Sequence, residues 1–303
     1  MGMLNQFILI FPEIVLTSVA MCMQLSAVFF KDHLRFIVLV TIAALIALSA
    51  YIINFVPNES ISLFSNSFEV SPHISKLKTL VLFLSIMSIV IYKSLMKISD
   101  KAIKVEFITL ILLSTVGVFI SISARDFMVL FCGLELQALS GYALAAFNNK
   151  NVKSSEAGLK YFVLGSLISC LMLLGISFFY GFAGSIYFND IRAALDGEFN
   201  IGLAVGAIFV LAAILFKLSA APLHIWTPDV YEGAPVSTVT YFAVAQKVGV
   251  LIVLINFVTL VIGNYLRVFV DLIKIAAILS IFIGALGAMM QSSLKRLMAY
   301  STI

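Results

Sequence analysis

Long apolar runs separated by short polar segments make up most of this 303-residue chain. An α-helix needs about 20 residues to cross a hydrocarbon core of ~30 Å. Nine runs reach that length, at residues 7–30, 34–56, 77–96, 105–123, 127–147, 157–180, 200–222, 237–263 and 268–290. Because the runs are continuously apolar and do not alternate, they indicate helices rather than the strands of a membrane barrel. The pattern predicts an all-α, polytopic membrane helix bundle.

A further apolar segment begins at about Leu297 and stops after seven residues. A segment of that length is too short to cross a bilayer. We therefore expect nine spans plus the start of a tenth, in a chain that is truncated at its C-terminus.

Residues 184–200 differ from a simple loop. They place apolar residues such as Ile186, Phe188 and Ile191 beside charged residues such as Asp190 and Arg192. This pattern predicts a short amphipathic helix that lies on the outer membrane interface.

The seventh run leads into PLHIWTPDVYEGAPVS, which contains three prolines and no Lys or Arg. Pro222 cannot donate a hydrogen bond to the carbonyl of Leu218, and a free carbonyl inside a membrane is tolerated only beside protein or water. We expect a broken seventh helix, interrupted one turn after Lys217, with water close to the break.

Basic residues are unevenly divided between the connecting segments. The segments that follow odd-numbered runs hold ten Lys and Arg residues, and those that follow even-numbered runs hold five. Because loops rich in basic residues remain in the cytoplasm, we expect the N-terminus to lie outside.

Composition supports the membrane location and excludes other classes. The chain is 62% hydrophobic and 11% charged, with a mean hydropathy of +1.13. The net charge of +4 comes from scattered residues, which argues against a nucleic-acid partner. Cys22, Cys132 and Cys170 lack metal-ligand spacing, and we expect them to be small buried residues. Since the sequence has no nucleotide-binding loop, CxxC pair or haem motif, we expect it to bind no cofactor or metal.

Three charged residues lie deep inside apolar runs, namely Glu135, Lys217 and Lys247. A charge at the centre of a membrane helix costs roughly 2.5–3.5 kcal/mol, and such groups usually pair and move ions or protons. A Lys–Glu pair can hold or release a proton as the partner moves. The structural alternatives are a hydrogen-bonded carboxylate for Glu135, a fixed ion pair for Lys217 and, for Lys247, a side chain that extends to the interface.

Two further residues are candidates for proton transfer. Lys160 follows Glu156 by four residues, which locally favours an ordinary surface pair. His224 follows the predicted break, where a neutral imidazole can relay a proton or make a simple structural hydrogen bond.

Other charged residues receive structural interpretations. We expect Glu13 at the membrane interface, near the start of the first run, and we expect Asp271 to pair with Lys274 at a spacing of i,i+3. Asp229 and Glu232, after the break, either shape a proton entrance or are simply solvated.

Four stretches together resemble a known family: GLELQALSGYALAAF, EAGLKYFVLGS, FKLSAAPLHIWTPDVYEGAPVSTVTYFAVAQKVG and SSLKRLMAYSTI. They are similar to the subunit N family of NADH-quinone oxidoreductase, respiratory complex I, which corresponds to mitochondrial subunit 2. The PLHIWTPDVYEGAP stretch is the most specific part. The sister antiporter-like subunits and the Mrp antiporters share a lysine before a broken helix but vary in that stretch.

The resemblance implies fourteen helices, built largely from two inverted five-helix repeats. It makes Glu135 the membrane glutamate of the fifth helix and Lys217 its partner on the broken seventh. Lys160 is then similar to the lysine of the sixth helix, and Lys247 to the lysine of the eighth. The resemblance thereby favours a proton-transfer role for Lys160 over the local interpretation. The implied division is 1–104, a leading three-helix segment; 105–263, a first repeat; and 264–303, the truncated start of a second repeat.

The function implied by the resemblance is proton translocation within complex I. Glu135, Lys217, Lys247, Lys160 and His224 would transfer protons, while NADH, FMN, iron–sulfur clusters and quinone would belong to partner subunits. The partners would be the other membrane subunits, including sister antiporter-like ones, in the bilayer of a bacterial inner membrane. One alternative is an Mrp-type cation/proton antiporter. Another is a membrane anchor whose buried charges only stabilise the bundle.

Overall fold

The computed structural model describes residues 7–30, 33–55, 57, 59–99, 102–197, 200–263 and 266–303. Its helices are α1 Phe11–Phe29, α2 Leu34–Asn54, α3 Pro72–Ile98, α4 Val105–Ser123, α5 Phe127–Ala145, α6 Val152–Ala183, α7 Phe188–Asp196, α8 Ile201–Lys217, α9 Trp226–Gly233, α10 Val236–Leu260, α11 Leu266–Met289 and α12 Leu294–Ser301. Two short strands, β1 Ile61–Leu63 and β2 Phe68–Val70, lie between α2 and α3.

The predicted helical membrane bundle is confirmed. Within the described residues, eight helices are long and apolar enough to cross a membrane: α1, α2, α3, α4, α5, α6, α10 and α11. The seventh predicted run instead forms the shorter helix α8, followed by an irregular segment and α9. The segment predicted to begin a tenth span forms α12.

Glycines allow the central helices to approach each other closely. A Cβ atom at Gly117 of α4 would lie 2.6 Å from the carbonyl oxygen of Gly133 in α5. Likewise, a Cβ atom at Gly175 of α6 would lie 2.7 Å from the carbonyl oxygen of Gly206 in α8. Small residues at such crossings let membrane helices pack backbone against backbone. These two contacts fix α5 and α8 against their neighbours, and each of these two helices carries a predicted charge.

The segment between α2 and α3 adds a β-hairpin that the all-helical prediction did not include. The strands are antiparallel, with Ile61 opposite Val70 and Leu63 opposite Phe68. Phe68 also forms a β-bridge with Ala124, next to the ion pair between Arg125 and Glu69. Strands of three residues are too short for their alternation to stand out in the sequence.

The predicted amphipathic helix is confirmed as α7. Its apolar residues Phe188, Ile191 and Leu195 are buried, whereas Arg192 and Asp196 are exposed and lie 3.7 Å apart. Its location at an outer interface stays a prediction.

The break in the seventh span exists, but its predicted position was wrong. Helix α8 ends at Lys217 itself, not one turn later, and Ser219 adopts a left-handed backbone with φ of 63°. The amide of Ala220 donates to the carbonyl of Leu215, which closes the end of the helix. The helix therefore stops before Pro222 is reached, because the backbone reverses at Ser219.

Glu13 has a partner that the sequence did not predict, while its location at the membrane interface stays a prediction. Glu13 forms a buried ion pair with Lys78 of α3, and the two side chains are 7% and 3% exposed. The rings of Phe68 and Phe119 lie 5.1 and 5.8 Å from the Lys78 ammonium. The two partners are 65 residues apart, so local spacing gave no sign of the pair.

The expected burial of the cysteines was wrong as well. Cys22, Cys132 and Cys170 are all exposed on the surface of the chain. Lipid tails are as apolar as a protein core, so an apolar position in a membrane helix does not require burial inside the bundle. The predicted pair of Asp271 and Lys274, by contrast, is confirmed at 3.0 Å.

Candidate functional site: a charged pair at a broken helix

Helices α5, α6 and α8 bring three polar side chains together. The Lys217 ammonium lies 3.3 Å from Oε1 of Glu135, so the predicted pairing is confirmed. The same carboxylate oxygen accepts a short hydrogen bond from the hydroxyl of Ser169. The Lys217 side chain is 10% exposed and the Glu135 side chain 21%. Ser169 was missed, because nothing distinguishes one serine of an apolar helix from the others in the sequence.

The end of α8 places Lys217 in a favourable electric field. A helix C-terminus carries partial negative charge on its unpaired carbonyls, and a cation there is stabilised. Lys217 is the last residue of α8, and Glu135 lies in the middle of α5. Lys217 therefore combines a position at the end of a helix with a carboxylate 3.3 Å from its ammonium.

An aromatic stack holds the break beside this pair. Tyr161 of α6 stacks on Trp226 at 4.4 Å and meets Tyr142 of α5 edge-on at 4.7 Å. The indole N–H of Trp226 donates to the carbonyl of Phe216 at 3.0 Å. Because Phe216 directly precedes Lys217, this bond ties the first turn of α9 to the last turn of α8.

The segment after the break contains buried polar atoms. Ser219 Oγ, His224 Nδ1 and Thr227 Oγ1 are buried and have no hydrogen-bond partner within the described residues. Buried polar atoms are usually paired with protein or water. The predicted residue His224 therefore lies in the break with Nδ1 unpartnered among the described residues, and burial lowers the pKa of its imidazole, which favours the neutral ring.

Lys247 lies apart from the Glu135 pair. A π-helical turn, Phe242–Gln246, interrupts α10 directly before it, and such turns are frequent at functional sites. The Lys247 ammonium donates to the backbone carbonyl of Thr302 at the end of α12. The structure thus gives Lys247 a neutral acceptor in place of an acidic partner.

Lys160 contacts different carboxylates. Its ammonium lies 2.8 Å from Glu156, which confirms the local i,i+4 pair, and 2.7 Å from Asp229. Arg296 also contacts Asp229 and Glu232, at 2.8 and 3.2 Å. We call this group the ion cluster; it consists of Lys153, Glu156, Lys160, Asp229, Glu232 and Arg296.

The ion cluster joins the beginning of α6, the end of α9 and the beginning of α12. Lys295, next to Arg296, donates to the carbonyl of Ala234 at 2.8 Å. Burial lowers the pKa of the Lys295 ammonium below its usual value, and nearby Glu232 opposes that shift. Asp229 and Glu232 are therefore paired with basic groups and are not simply solvated.

Within the part of the chain that the structure describes, no group of three or more His, Cys, Asp or Glu side chains is placed to hold a metal ion. The site is instead built from single titratable groups inside a helix bundle. An ammonium, a carboxylate and an imidazole are groups that can bind and release protons, and such groups inside a membrane usually mark ion or proton paths.

Comparisons with known proteins place the chain beside one family. The sequence profile of the NADH:quinone oxidoreductase/Mrp antiporter transmembrane family matches residues 124–303. The chain is 48% identical over 298 residues to NADH-quinone oxidoreductase subunit N of Rickettsia bellii, covering 97% of this chain and 65% of that protein. It therefore spans about two thirds of the length of this relative.

Solved structures share the fold. A chain of respiratory complex I from Thermus thermophilus superposes with a TM-score of 0.78 at 24% identity, covering 96% of this chain and 61% of that one. A chain of the Mrp complex from Dietzia sp. superposes with a TM-score of 0.74 at 18% identity, covering 99% of this chain and 57% of that one.

Proposed function

This chain belongs to the NADH:quinone oxidoreductase/Mrp antiporter transmembrane family, and on that premise we propose that it carries protons across the membrane as part of an NADH-quinone oxidoreductase. One observation carries the proposal, the pairing of Lys217 with Glu135 at the end of a broken helix. Oxidation of NADH and reduction of quinone would take place in partner subunits. The name of the relative from Rickettsia bellii supports this assignment.

The proposed step is a proton transfer from the ammonium of Lys217. While Glu135 is charged and close, the attraction between the two groups keeps the proton on Lys217. If the carboxylate becomes neutral or moves away, the buried ammonium loses its partner and releases the proton. His224 Nδ1, in the break, and the amine of Lys247 are the proposed acceptors on either side.

Ser169 has a supporting role in this scheme. Its hydroxyl donates to the same oxygen of Glu135 that faces Lys217. It therefore keeps that oxygen oriented towards α8 while the charge of Lys217 changes. Lys160 lies in the ion cluster, and we propose that this cluster is where protons enter the chain.

The alternative is an Mrp-type cation/proton antiporter, which the fold of the Dietzia complex supports. The 48% identity to a subunit N favours the first assignment over the fold likeness at 18% identity. We propose that the partners are the other membrane subunits of the oxidoreductase, in a bacterial inner membrane, with the N-terminus outside. Recovery with antiporter subunits alone, together with sodium-dependent proton exchange, would favour the alternative.

Replacing Lys217 tests the proton-carrier role. Arginine keeps the positive charge but does not release a proton at working pH, so it separates ion pairing from proton transfer. We expect Lys217→Arg to assemble normally but to pump poorly, and Lys217→Ala to pump no better. The measurement is the proton gradient formed per NADH oxidised, in vesicles that contain the whole complex.

The matched control is Lys274→Arg, at a lysine that is 66% exposed in its pair with Asp271. This variant should pump like the wild type. Normal pumping by Lys217→Arg would mean that a fixed charge is sufficient, and the carrier role of Lys217 would be abandoned.

A further inference from the structure

A groove of about 500 Å³ runs between α2 and α3, away from the charged pair. Its rim carries three basic residues, Arg35 from the first turn of α2 and Lys93 and Lys97 from the end of α3, together with Ser94. The start of α2 and the end of α3 are at the same end of the bundle, because the two helices are consecutive and pack against each other. The rim is therefore a concentrated patch of positive charge at one membrane boundary.

The interior of the groove is apolar. Leu39 and Ile42 line it from α2, and Val90 lines it from α3. With a helical rise of about 1.5 Å per residue, Leu39 lies ~6 Å deeper than Arg35, and Val90 ~10 Å deeper than Lys97. Charge at the boundary and apolar surface beneath it is the arrangement that an amphiphile with an anionic head requires.

The charge of the rim is not balanced by neighbours that the structure describes. No carboxylate in that part of the chain forms an ion pair with Arg35, Lys93 or Lys97. The adjacent residues 31, 32, 100 and 101 lie outside the described residues, and in sequence they contribute two lysines and two aspartates. The sequence charge around the rim therefore remains positive.

We propose that this groove binds an anionic phospholipid, with its phosphate at Arg35, Lys93 and Lys97 and an acyl chain along Leu39 and Val90. Basic pockets between membrane helices attract anionic headgroups, and each Lys or Arg near the surface strengthens that attraction. A helix from another subunit would cover the apolar interior, but it would need acidic residues at the boundary to balance the three cations, whereas an anionic phospholipid carries that charge in its headgroup. The proposal is independent of the proton-transfer function.

Native mass spectrometry of the full chain in detergent tests the lipid preference. The probes are phosphatidylglycerol and phosphatidylcholine with identical acyl chains, added in equal amounts. We expect the wild type to retain phosphatidylglycerol selectively. We expect Lys93→Gln/Lys97→Gln to weaken that retention about 10- to 30-fold, since two surface cations are lost.

The matched control is Lys76→Gln/Lys150→Gln, which removes two exposed lysines that do not line the groove. It should retain phosphatidylglycerol like the wild type. A second variant, Leu39→Trp, leaves the charges in place but fills the apolar interior of the groove. It should lower the retention of both lipids. Equal retention of the two lipids by the wild type, or equal loss in the control, would overturn the proposal.

A photoreactive residue in place of Leu39 tests the occupant in native membranes. Irradiation should produce a lipid adduct on this chain. Crosslinking to a neighbouring protein subunit instead would show that the groove is a protein interface, and the lipid site would be abandoned.

Discussion

Glu135 Oε1 accepts hydrogen bonds from two donors of different kind, the ammonium of Lys217 and the hydroxyl of Ser169. In the proposed cycle only the ammonium gives up its proton, and the serine hydroxyl keeps its own. The serine can therefore hold the carboxylate in place through the whole cycle. The leading helices contain a second pair, Glu13 with Lys78, that is more deeply buried than the first.

Breaking the Glu13–Lys78 pair should destabilise the chain. Removing one member of a buried pair leaves an uncompensated charge, which costs about 3–5 kcal/mol, whereas replacing both by apolar residues is often neutral. We expect Glu13→Leu to lower the thermal unfolding midpoint strongly and Glu13→Leu/Lys78→Leu to restore most of it. The midpoint is measured on the purified chain in detergent.

The control for this cycle is Asp271→Asn. Asp271 and Lys274 form a pair that is 67% and 66% exposed, and exposed pairs contribute about 0–1 kcal/mol. It should leave the midpoint almost unchanged. A double variant no more stable than Glu13→Leu would show that the lost packing, not the unpaired charge, causes the damage.

At the scale of elements, the two halves of the broken span are held in different ways. Helix α8 is fixed by close backbone contact with α6 at Gly206 and Gly175. Helix α9 is fixed at its start by Trp226 and at its end by Gly233, which lies directly against the first turn of α6. Helix α6 therefore contacts both halves of the broken span and sets their positions.

The contact at Gly233 leaves no room for a side chain. A Cβ atom there would lie 2.2 Å from the carbonyl oxygen of Lys153, so Gly233→Ala must push α9 away from α6. We expect a loss of about 1–3 kcal/mol in stability, together with weaker proton pumping because the break shifts. Thermal unfolding and the pumping assay measure the two effects.

Gly181 of α6 provides the matched control. A Cβ atom at Gly181 would have no neighbour within 4 Å. Gly181→Ala should therefore stabilise the helix by about 0.5–1 kcal/mol, since alanine favours helix more than glycine does. If Gly233→Ala and Gly181→Ala changed the stability by the same amount, the close approach at Gly233 would not contribute to the stability.

At the scale of the whole molecule, the segments that connect the helices lie at opposite ends of the bundle. The hairpin after α2, the turn between α4 and α5 and the segment after α6 meet through the bridges Phe68–Ala124 and Asp126–Tyr187. The ion cluster joins α6, α9 and α12 at their other ends. This arrangement supports the prediction that segments after odd-numbered runs and segments after even-numbered runs lie at opposite ends of the bundle. The side of the membrane on which each end lies stays a prediction.

Reporter fusions determine the absolute orientation. We expect a reporter in the loop around Asn149 to read as cytoplasmic and one within residues 184–200 to read as external, because basic loops are retained in the cytoplasm. The measurement compares a reporter active only inside the cell with one active only outside. The reverse pattern would overturn the orientation derived from the basic residues.

The sequence predicted what depends on long apolar runs and on charges inside them. Glu135 and Lys217 stood out because each is a charge deep in an apolar run, and their contact is confirmed. The amphipathic helix α7 and the pair of Asp271 with Lys274 were predictable because their patterns are local. The division at residues 104 and 263 stays a prediction, and so do the proton-transfer roles of all five candidate residues, Glu135, Lys217, Lys247, Lys160 and His224.

The sequence did not show the features that depend on distant partners or on a single backbone angle. Glu13 contacts Lys78 across 65 residues, so nothing in the sequence around Glu13 indicated its partner. The helix ends at Lys217 because Ser219 has a positive φ, and serine carries no strong signal for that conformation. Burial of the cysteines was overestimated because apolar side chains also face lipid.

The ion cluster has a definite order of assembly in time. A ribosome releases Lys160 first, Asp229 follows 69 residues later, and Arg296 comes 67 residues after that. When each carboxylate of α9 is synthesised, its basic partner on α6 is therefore already present. Lys153 precedes Glu232, and Lys160 precedes Asp229. Each acidic side chain of α9 thus has a basic partner available as soon as it is synthesised.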